Sequence, residues 1–325
     1  MRRREFITLL AVAGWPLAAR AQQPAMPVIG FLHSGSPEQV AHILAGFHRG
    51  LGETGYFVGG NLAIEYLWAR GRYDQLPLLA ADLVQRGCSV IVAAGGEHTA
   101  RAAKAATSTI PVVFTAAGDP VKAGLVASLN KPAGNLTGTV SFTSVVETKK
   151  FGLLREMVPH AAAIAMLINP NFPPAEPDAK DVHVAAQSLG HQLIIVRASN
   201  EQEIDAAFAR IGEMQANALL VAGDPFFNSR REQIVGLAGH RSLPGIYEFR
   251  EYVVAGGLMS YGISLPDNYR QMGIYVGRIL KGAKVFELPI MQPTRFEFAI
   301  NLKAATSLGL IVPPSLLALA DEVIE

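Results

Sequence analysis

The chain has 325 residues, half of them hydrophobic, enough for two lobes of ordinary domain size around sizeable cores. Its formal charge is +1, and the absence of any long basic run excludes a surface that tracks nucleic-acid phosphates. The single cysteine, Cys88, excludes an internal disulfide and any C-x-x-C metal or redox site. Set just before the apolar run Val90-Ile91-Val92, Cys88 reads as a small buried hydrophobe.

The first element is an export signal over residues 1–21. Arg3-Arg4, then Phe6-Ile7, follow the twin-arginine pattern. The apolar stretch from Ile7 to Ala18 is shorter than the roughly 20 residues a spanning helix needs, and it contains Pro16. Ala19-Arg20-Ala21 is a small-x-small cleavage pattern, so the mature chain is expected to begin at Gln22, outside the cytoplasm. A Sec signal is the alternative, and Arg20 beside the cleavage site favours the twin-arginine route. The signal carries four arginines and one glutamate, a net +3, which leaves the rest of the chain near −2. No later apolar run is long enough to span a bilayer.

Short apolar runs then alternate with amphipathic stretches. Strands are expected at 27–32, 61–67, 89–93, 111–114 and 136–140, and helices at 36–52, 76–86 and 98–106. Ser36 is placed to cap the first helix, with Pro37 at its first position. The pattern restarts with helices at 147–157, 179–189, 201–214, 228–240, 266–281 and 301–308. Strands at 163–168, 192–196, 218–221, 245–247, 257–260 and 294–300 lie between them. Alternation of this kind implies an α/β fold with parallel sheets covered by helices on both faces, here twice over. Ligands of such sheets bind beyond the carboxyl ends of the strands.

The usual catalytic signatures are missing. There is no G-x-S-x-G, no G-x-x-x-x-G-K-[ST] loop, no H-E-x-x-H, and no G-x-G-x-x-G opening the first helix. The histidines are scattered, and His42 and His48 do not share a helix face as metal ligands would. No cofactor and no metal are expected.

The polar residues sit after the strands. His33 and Ser34 follow the first. Gly95-Gly96-Glu97-His98-Thr99 follows the third and runs into a helix. This is either a seat for an anion on backbone N–H groups or a capped turn. Asp119 before Pro120 suits a helix cap. Thr139 and Ser141 stand at a crossing between lobes. In the second half, Asp224-Pro225 suits a cap and a ligand ammonium equally. Phe226 and Tyr247 are candidates for stacking on a ligand or for the core, and Glu248 and Tyr261 complete the set.

The segments 46–56 (GFHRGLGETGY), 60–66 (GNLAIEY), 110–126 (IPVVFTAAGDPVKAGLV), 134–142 (GNLTGTVSF) and 300–324 (INLKAATSLGLIVPPSLLALADEVI) carry a resemblance that covers essentially the whole mature chain. They resemble the ABC-transporter substrate-binding proteins, the family with tryptophan- and tyrosine-binding members. The resemblance implies a type 1 periplasmic-binding architecture, two Rossmann-like lobes with a central ligand cleft. The lobes are then 27–142 plus about 264–288, and 143–263 plus about 289–325. It also implies no enzymatic activity, a monomer in the periplasm, and a membrane ABC permease as partner.

The resemblance implies ligand contacts from Glu97-His98-Thr99, from Thr139–Ser141 and from the loop around Asp224; with the other residues that follow strands, the expected ligand site is Ser34, Gly96, Glu97, His98, Thr99, Thr139, Ser141, Asp224, Phe226, Tyr247, Glu248 and Tyr261. Where amino-acid-binding members usually read Thr-Pro-Ala-Ala, this chain reads Gly-Gly-Glu-His-Thr. Where they read Asp-Asn, it reads Asp224-Pro225. The expected ligand is therefore an amino acid, an aromatic acid or a similar small metabolite, and Glu97 repels a ligand carboxylate unless it points away or pairs with His98. The rival readings are an exported two-lobed enzyme using Glu97 with His98 or Asp224, and a ligand-binding partner of a membrane sensor.

Overall fold

The computed structural model describes residues 26–325, apart from Thr294 and the side chain of Gln39. Arg3, Arg4, Phe6, Ala19 and Ala21, the residues of the expected export signal, lie outside the described residues.

The first half runs β1 (Val28–His33), α1 (Pro37–Glu53), β2 (Ala63–Trp68), α2 (Leu76–Gln85), β3 (Val90–Ala94), α3 (Glu97–Ala106), β4 (Val112–Ala116) and β5 (Leu136–Val140). These strands form one parallel sheet in the order β2-β1-β3-β4-β5. β3 is buried along its whole length, as its unbroken apolar sequence requires when helices cover both faces. The order reverses at β1, so a crevice opens beyond the carboxyl ends of β1 and β3.

The second half runs α4 (Thr143–Met157), β6 (Ala163–Ile168), α5 (Ala175–Ser188), β7 (Gln192–Arg197), α6 (Glu201–Glu213), β8 (Ala218–Val221), α7 (Pro225–Ser229), α8 (Arg231–His240), β9 (Gly245–Tyr247), α9 (Arg250–Val254) and β10 (Met259–Ile263). It continues with α10 (Leu265–Leu280), β11 (Phe296–Asn301), α11 (Leu302–Ser307), α12 (Pro314–Leu319) and β12 (Glu322–Ile324). The second sheet is ordered β12-β11-β10-β9-β8-β6-β7 and is parallel except where β11 runs against β10.

The expected helix over 228–240 is two helices. Asp224 caps the first by accepting from Phe227 N–H, and Arg230, at φ −111° and ψ 17°, separates α7 from α8. The expected cap at Asp119 holds a turn instead: Oδ1 accepts from the N–H groups of Val121 and Lys122, and no helix follows. The strand expected at 257–260 runs from Met259 to Ile263, and α9, α12 and β12 carry no strong period that would announce them.

The chain passes between lobes more than once. It leaves the first sheet after β5 and enters α4, and it leaves the second sheet after β10 and enters α10. α10 then packs back on α1, where Tyr269, Met272 and Val276 join Phe47 and Leu51 in one core with Ile29 and Phe31. The helices touch backbone to backbone: a Cβ on Gly46 or Gly50 would overlap the carbonyl of Pro266 or Arg270. Leu288 and Ile290 still pack in the first lobe, Met291 bridges Thr139, and the chain rejoins the second sheet at Phe296.

Candidate functional site

The carboxyl ends of both sheets border one cleft of about 790 Å³, its open mouth included. The first lobe contributes His33 from the end of β1, Gly95 and Gly96 before α3, Thr115–Ala117 after β4, and Ser141 after β5. The second contributes Gly223, Asp224 and Asn228 around α7, and Glu248 and Phe249 after β9. Leu265, Asn268 and Tyr269 come from the first turns of α10. Val40, Ile43, Phe172 and Ile263 make part of the wall apolar.

His33 is held neutral. Burial pushes its imidazole down to about 3. Nδ1 accepts from Gly35 N–H at 2.8 Å, so the proton sits on Nε2, which reaches Tyr269 Oη at 3.0 Å. Tyr269 is thereby fixed at the cleft wall.

Asp224 both caps α7 and lines the cleft. Oδ1 accepts from Phe227 N–H at 2.8 Å and Oδ2 from the Asn169 amide at 3.2 Å, yet burial still raises its carboxyl to about 7. Glu248 is raised further, to about 8, again by burial first. Beneath them lies a sealed ion pair. Lys150 Nζ donates to Glu147 Oε1 at 2.9 Å and to the Val221 carbonyl at 2.8 Å, while Glu147 Oε1 also accepts from Gly223 N–H. Asp178 accepts from Thr143 Oγ1, and burial raises it to about 7.

Of the residues singled out in the sequence, Gly96, Ser141, Asp224 and Glu248 line this cleft. Ser34 and Phe226 face an outer chamber with Arg70, Arg72 and Arg230, which shares Gly35, Pro225 and Ser229 with the cleft. Ser34 Oγ donates to the Gly95 carbonyl and so fixes the glycine loop. Glu97 and Thr99 are buried behind that loop, and Glu97 Oε1 accepts from Gly118 N–H at 3.2 Å. His98 does not pair with Glu97: its ring stacks on Tyr73 and Nε2 donates to the Asn171 carbonyl of the opposite lobe at 2.9 Å. Thr139 donates to Asn268 Oδ1 at 2.7 Å, at the crossing rather than in the cleft wall. Tyr247 lies in the second-lobe core, stacked on Tyr252, and Tyr261 stacks on Phe296 of the neighbouring strand.

Asn268, Tyr269, Thr143 and Asn228 were not singled out. Thr143, Asn268 and Tyr269 sit in the first turns of α4 and α10, and Asn228 lies near the end of the short α7. The available signal was the strand-to-helix junction at Ile263–Leu265, since that is where α10 turns its first polar residues toward the sheet ends.

Among the described residues, no group of three or more His, Cys, Asp or Glu could hold a metal ion. Two mainly parallel sheets that share a polar-and-apolar cleft at their carboxyl ends define a two-lobed binding protein of type 1 periplasmic-binding architecture. Within that class, the model of the ABC transporter substrate binding protein family matches residues 29–324, and the chain belongs to that family.

The chain is 28% identical over 261 residues, 79% of its length and 73% of the other's, to a tyrosine-binding protein of Clostridioides difficile strain R20291. Among solved structures it is similar to a conserved domain protein from Vibrio cholerae O1 biovar eltor, with a TM-score of 0.84 and 27% identity over 92% of this chain and 99% of that one. An ABC domain from Streptococcus pneumoniae in complex with L-Trp gives a TM-score of 0.82 and 25% identity, covering 91% of this chain and all of that one. The family is one of substrate-binding proteins, the Clostridioides difficile relative is a tyrosine-binding protein and the Streptococcus structure holds L-Trp; this chain is likewise a binding protein, not an enzyme.

Proposed function

We propose that this chain is the exported solute-binding component of an ABC importer. It holds one small molecule between its lobes and hands it unchanged to a membrane permease. The observation that carries the reading is the shared cleft at the carboxyl ends of two sheets, lined from both lobes, in a chain of this family. A ligand that touches both walls favours the closed arrangement over the open one.

The ligand is an amino acid, an aromatic acid or a similar metabolite. The apolar wall suits a ring or aliphatic body, and relatives include a tyrosine-binding protein and an L-Trp complex. Gly96, Ser141, Asp224 and Glu248 contact it, with Asn268 and Tyr269 from α10. Ser34 and Phe226 guard the mouth, while Glu97, His98, Thr99 and Thr139 shape the loops behind it. The lobes are 27–142 with about 264–288, and 143–263 with about 289–325. The packing of α10 on α1 supports that exchange of segments.

Residues 1–21 direct export to the periplasm through the twin-arginine route, and the mature chain is a monomer. No helix among the described residues is long and apolar enough to cross a membrane, which fits a permease supplied by a separate chain. The test is uptake. Cells lacking this chain are expected to lose import of the compound it binds, and to regain it with the wild-type chain but not with an Asp224→Ala, Ser141→Ala variant. Uptake that persists without the chain would exclude the importer role.

A further inference from the structure

Glu248 faces the cleft, yet it is only 5 % exposed, and its carboxylate accepts no hydrogen bond from any described residue. Its position depends on side chains that are absent. A Cβ on Gly223 would overlap Oε2, and one on Gly262 would come within 2.8 Å of Cγ. Neither glycine has positive φ, so both serve to leave room rather than to permit a turn.

The groups facing Glu248 do not neutralise it. Lys150 and Glu147 on α4 are already paired with each other. Asp178 on α5 takes the Thr143 hydroxyl, and Asp224 takes Phe227 N–H and the Asn169 amide. Tyr252 on α9 is buried and stacked on Tyr247. Among the described residues, no lysine or arginine lines the cleft. A buried carboxylate without a partner is costly, and it is relieved either by a proton or by a cation.

We propose that Glu248 is the cation seat of the cleft: the ligand carries a protonated nitrogen, an ammonium or an amidinium, that docks on this carboxylate beside Asp224. The inference rests on the reading of this cleft as the ligand site. In the empty cleft Glu248 holds a proton. When the cation arrives, that proton leaves to solvent, so one bound cation releases at most one proton and the net charge of the site is conserved. Val40, Ile43, Phe172, Phe249, Ile263 and Leu265 supply an apolar surface for the rest of the molecule.

Three probes with one ring body test this on the full mature chain: L-tyrosine, tyramine, and 3-(4-hydroxyphenyl)propionate. Calorimetry is expected to show binding of one or both amines with proton release, and none of the propionate. Glu248→Gln is expected to weaken amine binding by about tenfold or more. Propionate binding as tightly as the amines, or amine binding untouched by Glu248→Gln, would overturn the cation seat and leave the solute-binding reading intact. A second measurement needs no ligand. At pH 9 the Glu248→Gln variant is expected to melt above the wild type by about 2–4 °C, because a buried charge is removed. A lower melting point would show that Glu248 is instead a structural partner of the Lys150 network, and would overturn the seat even if all three probes were silent.

Discussion

Gly223 and Glu248 share one space: the volume a Cβ would fill on the glycine is occupied by the carboxylate of the glutamate. Gly223 stands where β8 gives way to α7, and Glu248 follows the neighbouring strand β9, so the pairing of two strand ends sets the acid at the cleft. Gly223→Ala is expected to push the flexible carboxylate aside. Stability should fall by no more than about 1–2 kcal/mol, while ligand affinity falls with the displaced acid. Gly262→Ala should cost more, since its Cβ would meet the Glu248 backbone carbonyl, which cannot swing away. Urea titration of the two variants, compared with ligand titration, separates the effects.

The stability of the empty protein should fall as pH rises from the acidic side. Asp178 and Asp224 are raised from 3.8 to about 7, and Glu248 from 4.5 to about 8, in each case by burial first. The unfolded chain releases these protons near pH 4, whereas the folded chain keeps them. Their contribution is therefore complete below pH 4 and lost as pH climbs through 7 to 8. His33 acts in the opposite sense. It is lowered from 6.5 to about 3, so its contribution is present above 6.5 and is lost as pH falls toward 3. Three contributions fall while one rises between pH 4 and 6.5, so melting points should decline from pH 4 toward pH 8, more steeply above 6.5 where His33 no longer offsets the carboxyls. Asp178→Asn should flatten the alkaline limb.

Lys150→Met should be among the most damaging single changes. Lys150 and Glu147 are both fully buried and 2.9 Å apart. Removing the lysine leaves a carboxylate without its cation, a loss of about 3–5 kcal/mol. The double change Glu147→Gln with Lys150→Met removes both charges and should recover most of it. Denaturant unfolding measures both, and equal losses in the single and double variants would show that the pair contributes by shape alone.

Among the described residues, His42 Nε2 reaches Glu251 Oε1 at 2.7 Å and His98 Nε2 donates to the Asn171 carbonyl, each from one lobe to the other. The first is partly solvent-exposed and is worth no more than about 1 kcal/mol. His42→Ala is therefore expected to weaken ligand binding by at most about fivefold. Small-angle scattering of the empty protein should show a larger radius of gyration than the wild type.

The alternation of buried runs and helices was legible because strands covered on both faces have no polar interruptions. Val90–Ala94, Ala163–Ile168 and Ala218–Val221 show this directly. Residues just past the strands were legible too: Gly96, Ser141, Asp224 and Glu248 all face the cleft. One-residue offsets were not. Tyr247 and Glu248 are neighbours, yet the last residue of the strand turns into the core and the next turns out. Asn268 and Tyr269 were hidden for another reason. They reach the cleft only because α10 returns to pack on α1, more than 200 residues earlier in the chain, a pairing that local periodicity does not encode. The partition of Glu97 and His98, one hydrogen-bonded to Gly118 and the other to the opposite lobe, likewise depends on loops brought together by folding.

The cleft is expected to hold one small molecule and to leave it unchanged. The most direct measurement is a thermal-shift screen of the chain from Gln22 to Glu325 against amino acids, aromatic acids and small amines, followed by mass spectrometry of each compound recovered from the protein. A ligand at a hundred times its dissociation constant stabilises by about 2.7 kcal/mol. The expected result is a compound that raises the melting point by several degrees, binds one per chain, and is recovered intact. A compound that stabilises the protein but is recovered chemically altered would contradict it.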